Sequence, residues 1–392
     1  MRDETVIVHS GRHPDQYHGA VNPPVYHAST ILARSAEDYL ARRRAWLDEV
    51  PGTYYGRFGT PTVEALQEAI AELEGGHRAV VYPSGLAACA GALTAFLSAG
   101  DHVLMSDSAY GPARNFAKGT LKRFGVSTTF FDPLVGRSIE SLIQGNTRVV
   151  YLESPGSLTF EVQDVPAIAD AAHRRGIAVI MDNTWATPLY FKALAHGVDV
   201  SVQAATKYIV GHSDAMIGTV TCTREAWPRL RTSTYEMGQT AGPDAVYLAQ
   251  RGLRTLAARL RIHSENARAL TAWLAAQPEV ERVLYPALPS DPGHALWKRD
   301  FTGASGLFGV VLRRGIDPKA MFALIDGLKL YGIGASWGGY ESLIVPYHPL
   351  EGRAVTRWPE HGPCFRIHAG LESAEDLLED LEAGFGRLRR SP

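Results

Sequence analysis

From Thr62 onward the chain alternates between two hydrophobic rhythms. A helix-period stretch, 62-TVEALQEAIAELEGG-76, ends on a glycine pair, as helices commonly do. Short apolar or β-branched runs follow: AVVYP, HVLM, TTFFD, RVVYLE, IAVIMD, VDVSVQ and MIGTVTC. Helical stretches such as 85-GLAACAGALTAFLSAG-100 and 166-PAIADAAHRRG-176 lie between them. Nearly continuous apolar strands interleaved with helices predict a mostly parallel sheet covered on both faces. Past residue 245 the texture changes. A long helical pattern over 244–277 leads into Pro-rich 285-YPALPSDPGH-294, strand-like 306-GLFGVVL-312, another helix, and amphipathic 373-SAEDLLEDLEAGFGRL-388. These predict a smaller α/β domain.

Residues 1–60 offer one short helical piece, 35-SAEDYLARRRAWLDEV-50, and too little periodic apolar sequence for a core. The expected organisation is an N-terminal arm over 1–60 that drapes over another surface, such as a neighbouring subunit. A large domain over 61–245 and a C-terminal α/β domain over 246–392 complete it. No repeat or low-complexity tract interrupts this plan.

Composition narrows the class. The 392 residues are 45% hydrophobic and 20% charged, with a net charge of −2 and both signs mixed. Neither a nucleic acid nor a membrane is an expected partner on that balance. The start of the chain lacks the apolar core of a secretory signal, and no run reaches the ~18 apolar residues of a membrane span. Cys89, Cys222 and Cys364 are isolated and show no CxxC spacing, so reduced thiols in a cytoplasmic protein without structural metal are expected.

Four features then bear on chemistry. In 82-YPSGLAACAGAL-93 a strand ends at Ser-Gly and a small-residue helix begins. Such a helix start is an anion cradle; it is equally the signature of tight strand–helix packing. Asp182 ends the run 177-IAVIMD-182, at the strand edge where open α/β sheets bind ligands, although Asp there more often caps a helix. Lys207 follows the next run by a few residues and could share that crevice; the ordinary use of a lysine is a solvated surface charge. Tyr110, in 107-DSAYGPARNF-116, could cover a flat cofactor or close the edge of the core. Together they supply a phosphate cradle, a carboxylate, an aromatic lid and a lysine. A phosphorylated aldehyde cofactor, pyridoxal phosphate, needs that set.

These residues resemble the pyridoxal-phosphate enzymes of cysteine and methionine metabolism, the trans-sulfuration family, over essentially the whole chain. The matching stretches include 55-YGRFGTPT-62, 83-PSGLAA-88, 151-YLESPGSLTFEVQDVP-166, 182-DNTWATP-188, 203-QAATKYIVGHSDAMIGT-219, 252-GLRTL-256, 297-WKRDFTGASGLF-308, 336-SWGGYESLI-344 and 366-RIHAGLE-372. The resemblance is nearest to the bacterial cystathionine β-lyase branch. It implies an aspartate-aminotransferase-like fold of pyridoxal-phosphate fold type I, with a large mostly parallel-sheet domain, a smaller C-terminal α/β domain and an N-terminal arm.

By the same resemblance, Lys207 is the covalent anchor and catalytic base, Asp182 pairs with the pyridine nitrogen, and Tyr110 stacks on the ring and assists proton transfer. Gly85, Leu86 and Thr206 hold the phosphate. Tyr55 and Arg57 reach it from a neighbouring subunit, Tyr55 also touching substrate, within a homotetramer built as a dimer of active dimers. Arg366, Ser336 and Trp337 bind the substrate α-carboxylate. The implied reaction is carbon–sulfur β-elimination on a small sulfur amino acid, with cystathionine expected and cystine or other cysteine S-conjugates also possible substrates.

Trp337 and Ala204 favour the β-lyase branch. Ala335 stands where γ-type relatives often carry glutamate, and Phe58 where some β-lyases carry a second arginine. A γ-lyase, γ-synthase or methionine γ-lyase activity is the alternative within the family; a cofactor-bearing regulatory protein with vestigial activity is the alternative outside it.

Overall fold

The computed structural model describes residues 1–50 and 52–390. Seven strands form the larger sheet: β1 (Arg78–Tyr82), β2 (His102–Ser106), β3 (Ser127–Phe131), β4 (Thr147–Glu153), β5 (Ala178–Asp182), β6 (Val200–Gln203) and β7 (Gly218–Cys222), in the order β1-β7-β6-β5-β4-β2-β3. Neighbours from β6 through β3 run parallel, while β7 is antiparallel to both β1 and β6. All seven predicted runs therefore became strands of one sheet. Every residue of β2, β6 and β7 is buried, which is why the runs read as continuous rather than alternating.

The second sheet holds β8 (Val280–Leu284), β9 (Leu307–Leu312), β10 (Leu343–Tyr347) and β11 (Cys364–His368), all antiparallel, in the order β10-β11-β9-β8. Only β9 carries a plain hydrophobic run. Pro346 interrupts β10, a position tolerated because β10 lies at the sheet edge. Leu377, Leu381, Phe385 and Leu388 bury one stripe of the final helix Ala374–Arg390, as its spacing predicts. One hydrophobic core unites the two sheets, joining Val150 and Met181 of the first to Phe308 and Phe365 of the second.

One expectation needs correction. The helical pattern over 244–277 is two helices, Pro243–Leu253 and Leu256–Ala275. At the break the Gly252 carbonyl accepts from Thr255 N at 3.1 Å and from Arg259 Nη2 at 2.7 Å, so the regular ladder stops there. Gly252 itself lies against the chain just beyond Lys207: an added Cβ would stand 2.2 Å from the Val210 carbonyl oxygen.

The first residues of the N-terminal stretch pack on their own chain. Helix Asp3–His9 buries Val6 and Ile7, and Arg254 Nη1 donates to the carbonyls of Ile7 (2.6 Å) and Ser10 (2.8 Å). By contrast, helix Ala36–Leu47 forms where expected, capped by Ser35, yet buries none of its residues. Among the described residues no helix is long and apolar enough to cross a membrane, and no cluster of His, Cys, Asp and Glu could hold a metal.

Candidate active site

Adjacent parallel strands end on one edge of the large sheet, and their last residues point chemistry into a cavity of about 390 Å³. β4 ends at Glu153 and β5 at Asp182, in register with each other. β6 ends at Gln203 and leads through Ala204, Ala205 and Thr206 to Lys207. Asp182, Lys207, Tyr110, Gly85, Leu86, Thr206, Arg366 and Trp337 all line this one cavity; Ser336 is not a lining residue but touches Lys207.

The phosphate end is built by the helix Gly85–Phe96, which starts directly after β1. The Ser84 hydroxyl accepts from Ala87 N at 3.1 Å. The N–H groups of Gly85 and Leu86, in the first turn, have no acceptor within the helix and remain for an anion. An added Cβ on Gly85 would stand 2.5 Å from the Cβ of Ala204, so only glycine lets the helix start press against the segment leading to Lys207. Thr206 is differently engaged than expected. Its hydroxyl donates to the Ile217 carbonyl (3.1 Å) and accepts from Ile217 N (2.9 Å), so a phosphate would have to compete for it. Ser84, whose cap uses only a lone pair, keeps its proton for that role.

Lys207 is no ordinary surface lysine. Its Nζ donates to Ser336 Oγ at 2.7 Å and lies 5.2 Å from the centre of the Trp337 ring. Burial pulls its pKa from 10.5 down to about 8, the positive Arg366 adds to this, and Asp182 opposes it. Arg366, in the middle of β11, donates Nη2 to the carbonyls of Ala335 and Ser336 at 3.1 Å each. Its pKa drops to about 10 by burial, which still leaves it charged.

Asp182 is buried and held by three donors. Oδ1 accepts from Thr184 N (3.0 Å) and Thr184 Oγ1 (2.5 Å), and Oδ2 from the Cys89 thiol at 3.7 Å. Burial raises its pKa, against the lowering effect of the Thr184 hydrogen bonds. Tyr110 precedes the short helix Gly111–Phe116 and donates its backbone N–H to Glu153 Oε2 at 2.5 Å; its side chain remains 43% exposed, facing the cavity.

Tyr55 and Arg57 do not line the cavity of their own chain. Arg57 Nη1 donates to the Tyr235 carbonyl at 2.8 Å, and its guanidinium lies 4.5 Å from the centre of the Phe58 ring. Phe58 stacks on Trp46 at 4.3 Å, remote from Ala335, which does line the cavity. Ser84, Cys89, Glu153 and Thr184 were not singled out in sequence. Ser84 was legible as the Ser preceding a helix start and Thr184 as a hydroxyl two residues beyond a strand-end Asp. Glu153 and Cys89 gave no signal without the sheet register.

The groups present fit pyridoxal phosphate: free N–H donors in a glycine-only cradle, a buried carboxylate for a ring nitrogen, a lysine with depressed pKa for an aldehyde, and an aromatic side chain beside them. Fold and cavity thus define a pyridoxal-phosphate enzyme of the aspartate-aminotransferase-like class. The sequence profile of the Cys/Met metabolism PLP-dependent enzymes matches residues 4–386, and the chain belongs to that family. It is 47% identical over 392 residues to the cystathionine beta-lyase of Escherichia coli (strain K12), covering 98% of each chain. An L-alanine/L-glutamate racemase of Wolbachia pipientis wMel is 42% identical over 396 residues, covering 99% of this chain and 98% of the other. Among solved structures, metB from Corynebacterium glutamicum aligns with a TM-score of 0.89 at 30% identity, over 99% of this chain and 98% of that one.

Proposed function

We propose that this protein is a carbon–sulfur β-lyase that cleaves L-cystathionine to homocysteine, pyruvate and ammonia. The observation that carries the reading is the contact of Lys207 Nζ with Ser336 Oγ, in the loop whose carbonyls receive Arg366. A substrate carboxylate held at Arg366 and Ser336 sets its Cα beside an amine able to move a proton.

Pyridoxal phosphate, when bound, supplies the electron sink that makes the Cα–H acidic. Gly85, Leu86 and Ser84 would hold its phosphate, and Asp182 would keep its ring nitrogen protonated. Lys207 anchors it, then serves as the base that removes the Cα proton; a pKa near 8 leaves a useful fraction of free amine at neutral pH. The Cβ–S bond breaks, and Lys207, with Tyr110 beside it, returns the proton to the departing sulfur. The three-carbon enamine left behind takes up water to give pyruvate and ammonia. Arg366 acts throughout as a planar fork for the carboxylate.

Phosphate contacts from Tyr55 and Arg57 require a second copy of the chain, in keeping with their distance from their own cavity. A homotetramer of active dimers, with residues 1–60 as an arm between subunits, and a cytoplasmic setting belong to the same reading. Deleting residues 1–50 should then lower oligomeric state and cofactor affinity together. The Wolbachia relative favours a second reading, amino-acid racemisation, in which Lys207 and Tyr110 exchange the Cα proton across opposite faces. Keto-acid identification across L-cystathionine, L-cystine, L-cysteine and S-alkyl cysteines, with chiral analysis of L-alanine incubated with the enzyme, separates the readings. Pyruvate with homocysteine supports β-lysis; 2-oxobutyrate points to γ-chemistry; D-alanine from L-alanine without keto acid points to racemisation.

A further inference from the structure

The wall between Asp182 and Tyr110 carries a carboxyl group that the proposed chemistry does not use. Glu153 closes β4 in register with Asp182 closing β5. Residues opposed in this way on neighbouring strands project to the same face, and both side chains line the cavity. Their partners differ. Asp182 receives three donors, two from Thr184 and one from Cys89. Glu153 receives the Tyr110 N–H at Oε2. The nearby guanidinium groups are committed elsewhere: Arg114 pairs with Asp107 at 2.7 Å, and Arg353 lies 3.8 Å from Glu161. Two carboxyl groups so close cannot both ionise cheaply, and the one with more donors keeps the charge.

We propose that Glu153 stands in the cavity as a neutral carboxylic acid that fixes Tyr110 through its N–H and offers an O–H donor to an oxygen of the ligand bound beside Asp182. This rests on the cavity being the active site. It makes Glu153 a positioning residue for Tyr110 and a ligand-binding donor beside the acceptor Asp182.

The electrostatics agree with the geometry. Burial comes first in pushing the Glu153 carboxyl well above the usual carboxylate range, and the Asp182 charge pushes the same way; the Tyr110 N–H and the more distant Arg353 and Arg114 oppose them. The remaining titratable neighbours, Cys89 and Tyr151, are themselves raised by burial and stay neutral. Both effects favour the neutral acid, and the proposed O–H donor is lost as pH rises through the elevated pKa.

The test is an infrared difference spectrum, wild type minus Glu153→Gln, on cofactor-loaded and cofactor-stripped protein. The expected result is a carboxylic-acid C=O band at pH 7 that converts to carboxylate bands at higher pH. Glutamine keeps both the acceptor and a donor, so Glu153→Gln should hold cofactor affinity within about threefold, whereas Glu153→Ala should weaken it by about tenfold. Carboxylate bands alone at pH 7, or equal loss of affinity in the Gln and Ala variants, would overturn the proposal. The band reports Glu153 whatever the reaction catalysed: a protein that releases no pyruvate yet shows the band would sink the lyase reading and leave this one standing.

Discussion

Two concave regions of the molecule invite comparison. One is the cavity of about 390 Å³ at the ends of β4, β5 and β6; the other is a larger groove of about 630 Å³ lined by Trp46, Phe58, Tyr235, Arg231 and the acidic face of helix Pro61–Glu74. The groove is the roomier, and four Trp, Tyr or Phe residues line each. Its charged groups are nevertheless spent on one another and on aromatic rings: Arg231 lies 3.7 Å from Glu49 and packs over Trp46 and Tyr235, and Glu64 and Glu68 add like charge. In the smaller cavity, free helix N–H groups, a buried carboxylate, a lysine and an arginine meet within one wall. Convergence of unlike groups, rather than volume, marks the chemistry.

The contrast can be broken at graded cost. Lys207→Ala should remove the anchor and base together and lower pyruvate release by on the order of 10³-fold or more, measured with a coupled keto-acid assay. Arg366→Lys replaces a fork with a point charge; KM for the amino acid should rise about tenfold with a smaller change in kcat. Gly85→Ala forces a Cβ to within 2.5 Å of the Ala204 Cβ, so the helix start must retreat from the phosphate. Equilibrium titration of the stripped protein should then show cofactor binding weakened by about tenfold.

A pH effect comes next. The folded pKa of Lys207, about 8, lies below its ordinary 10.5. The unfolded chain therefore binds more protons between those values, and stability rises with pH across that window. In cofactor-free protein Lys207→Met should raise the melting temperature at pH 7, and the gain should fade as pH climbs from 8 to 10.5. The smallest change is expected in the groove. Phe58→Arg should alter kcat/KM for cystathionine relative to an S-alkyl cysteine by only about threefold, since exposed charges are screened; a large effect there would move the specificity-determining wall out of the cavity.

How much of this was legible in sequence follows from what each residue's neighbours are. Most strands of the large sheet were visible because burial on both faces leaves continuous apolar runs; the less buried edge strand β3 was legible from its β-branched and aromatic residues, and Asp182 and Lys207 stood at or just beyond strand ends. β8, β10 and β11 were not, because charged residues or proline interrupt their apolar runs: Glu281 in β8, Pro346 in β10 and Arg366 in β11. The break between Leu253 and Leu256 escaped because both flanking helices share good helix formers, and only the approach of the 209–210 backbone to Gly252 requires it. Glu153 was hidden for a related reason: its meaning lies in the register with Asp182, which two runs some thirty residues apart do not declare. Ser84 and Thr184 were readable in principle from local capping patterns.

The central claim is that Lys207, and no other lysine, anchors the cofactor at this sheet edge. Hydride reduction of the cofactor-loaded protein, followed by proteolysis and mass spectrometry, fixes the link covalently and reads its position. The expected result is the cofactor-derived mass on the peptide containing Lys207, and its disappearance in Lys207→Ala. A label on Lys192, Lys118 or any other lysine, or none in the wild-type protein, would contradict it.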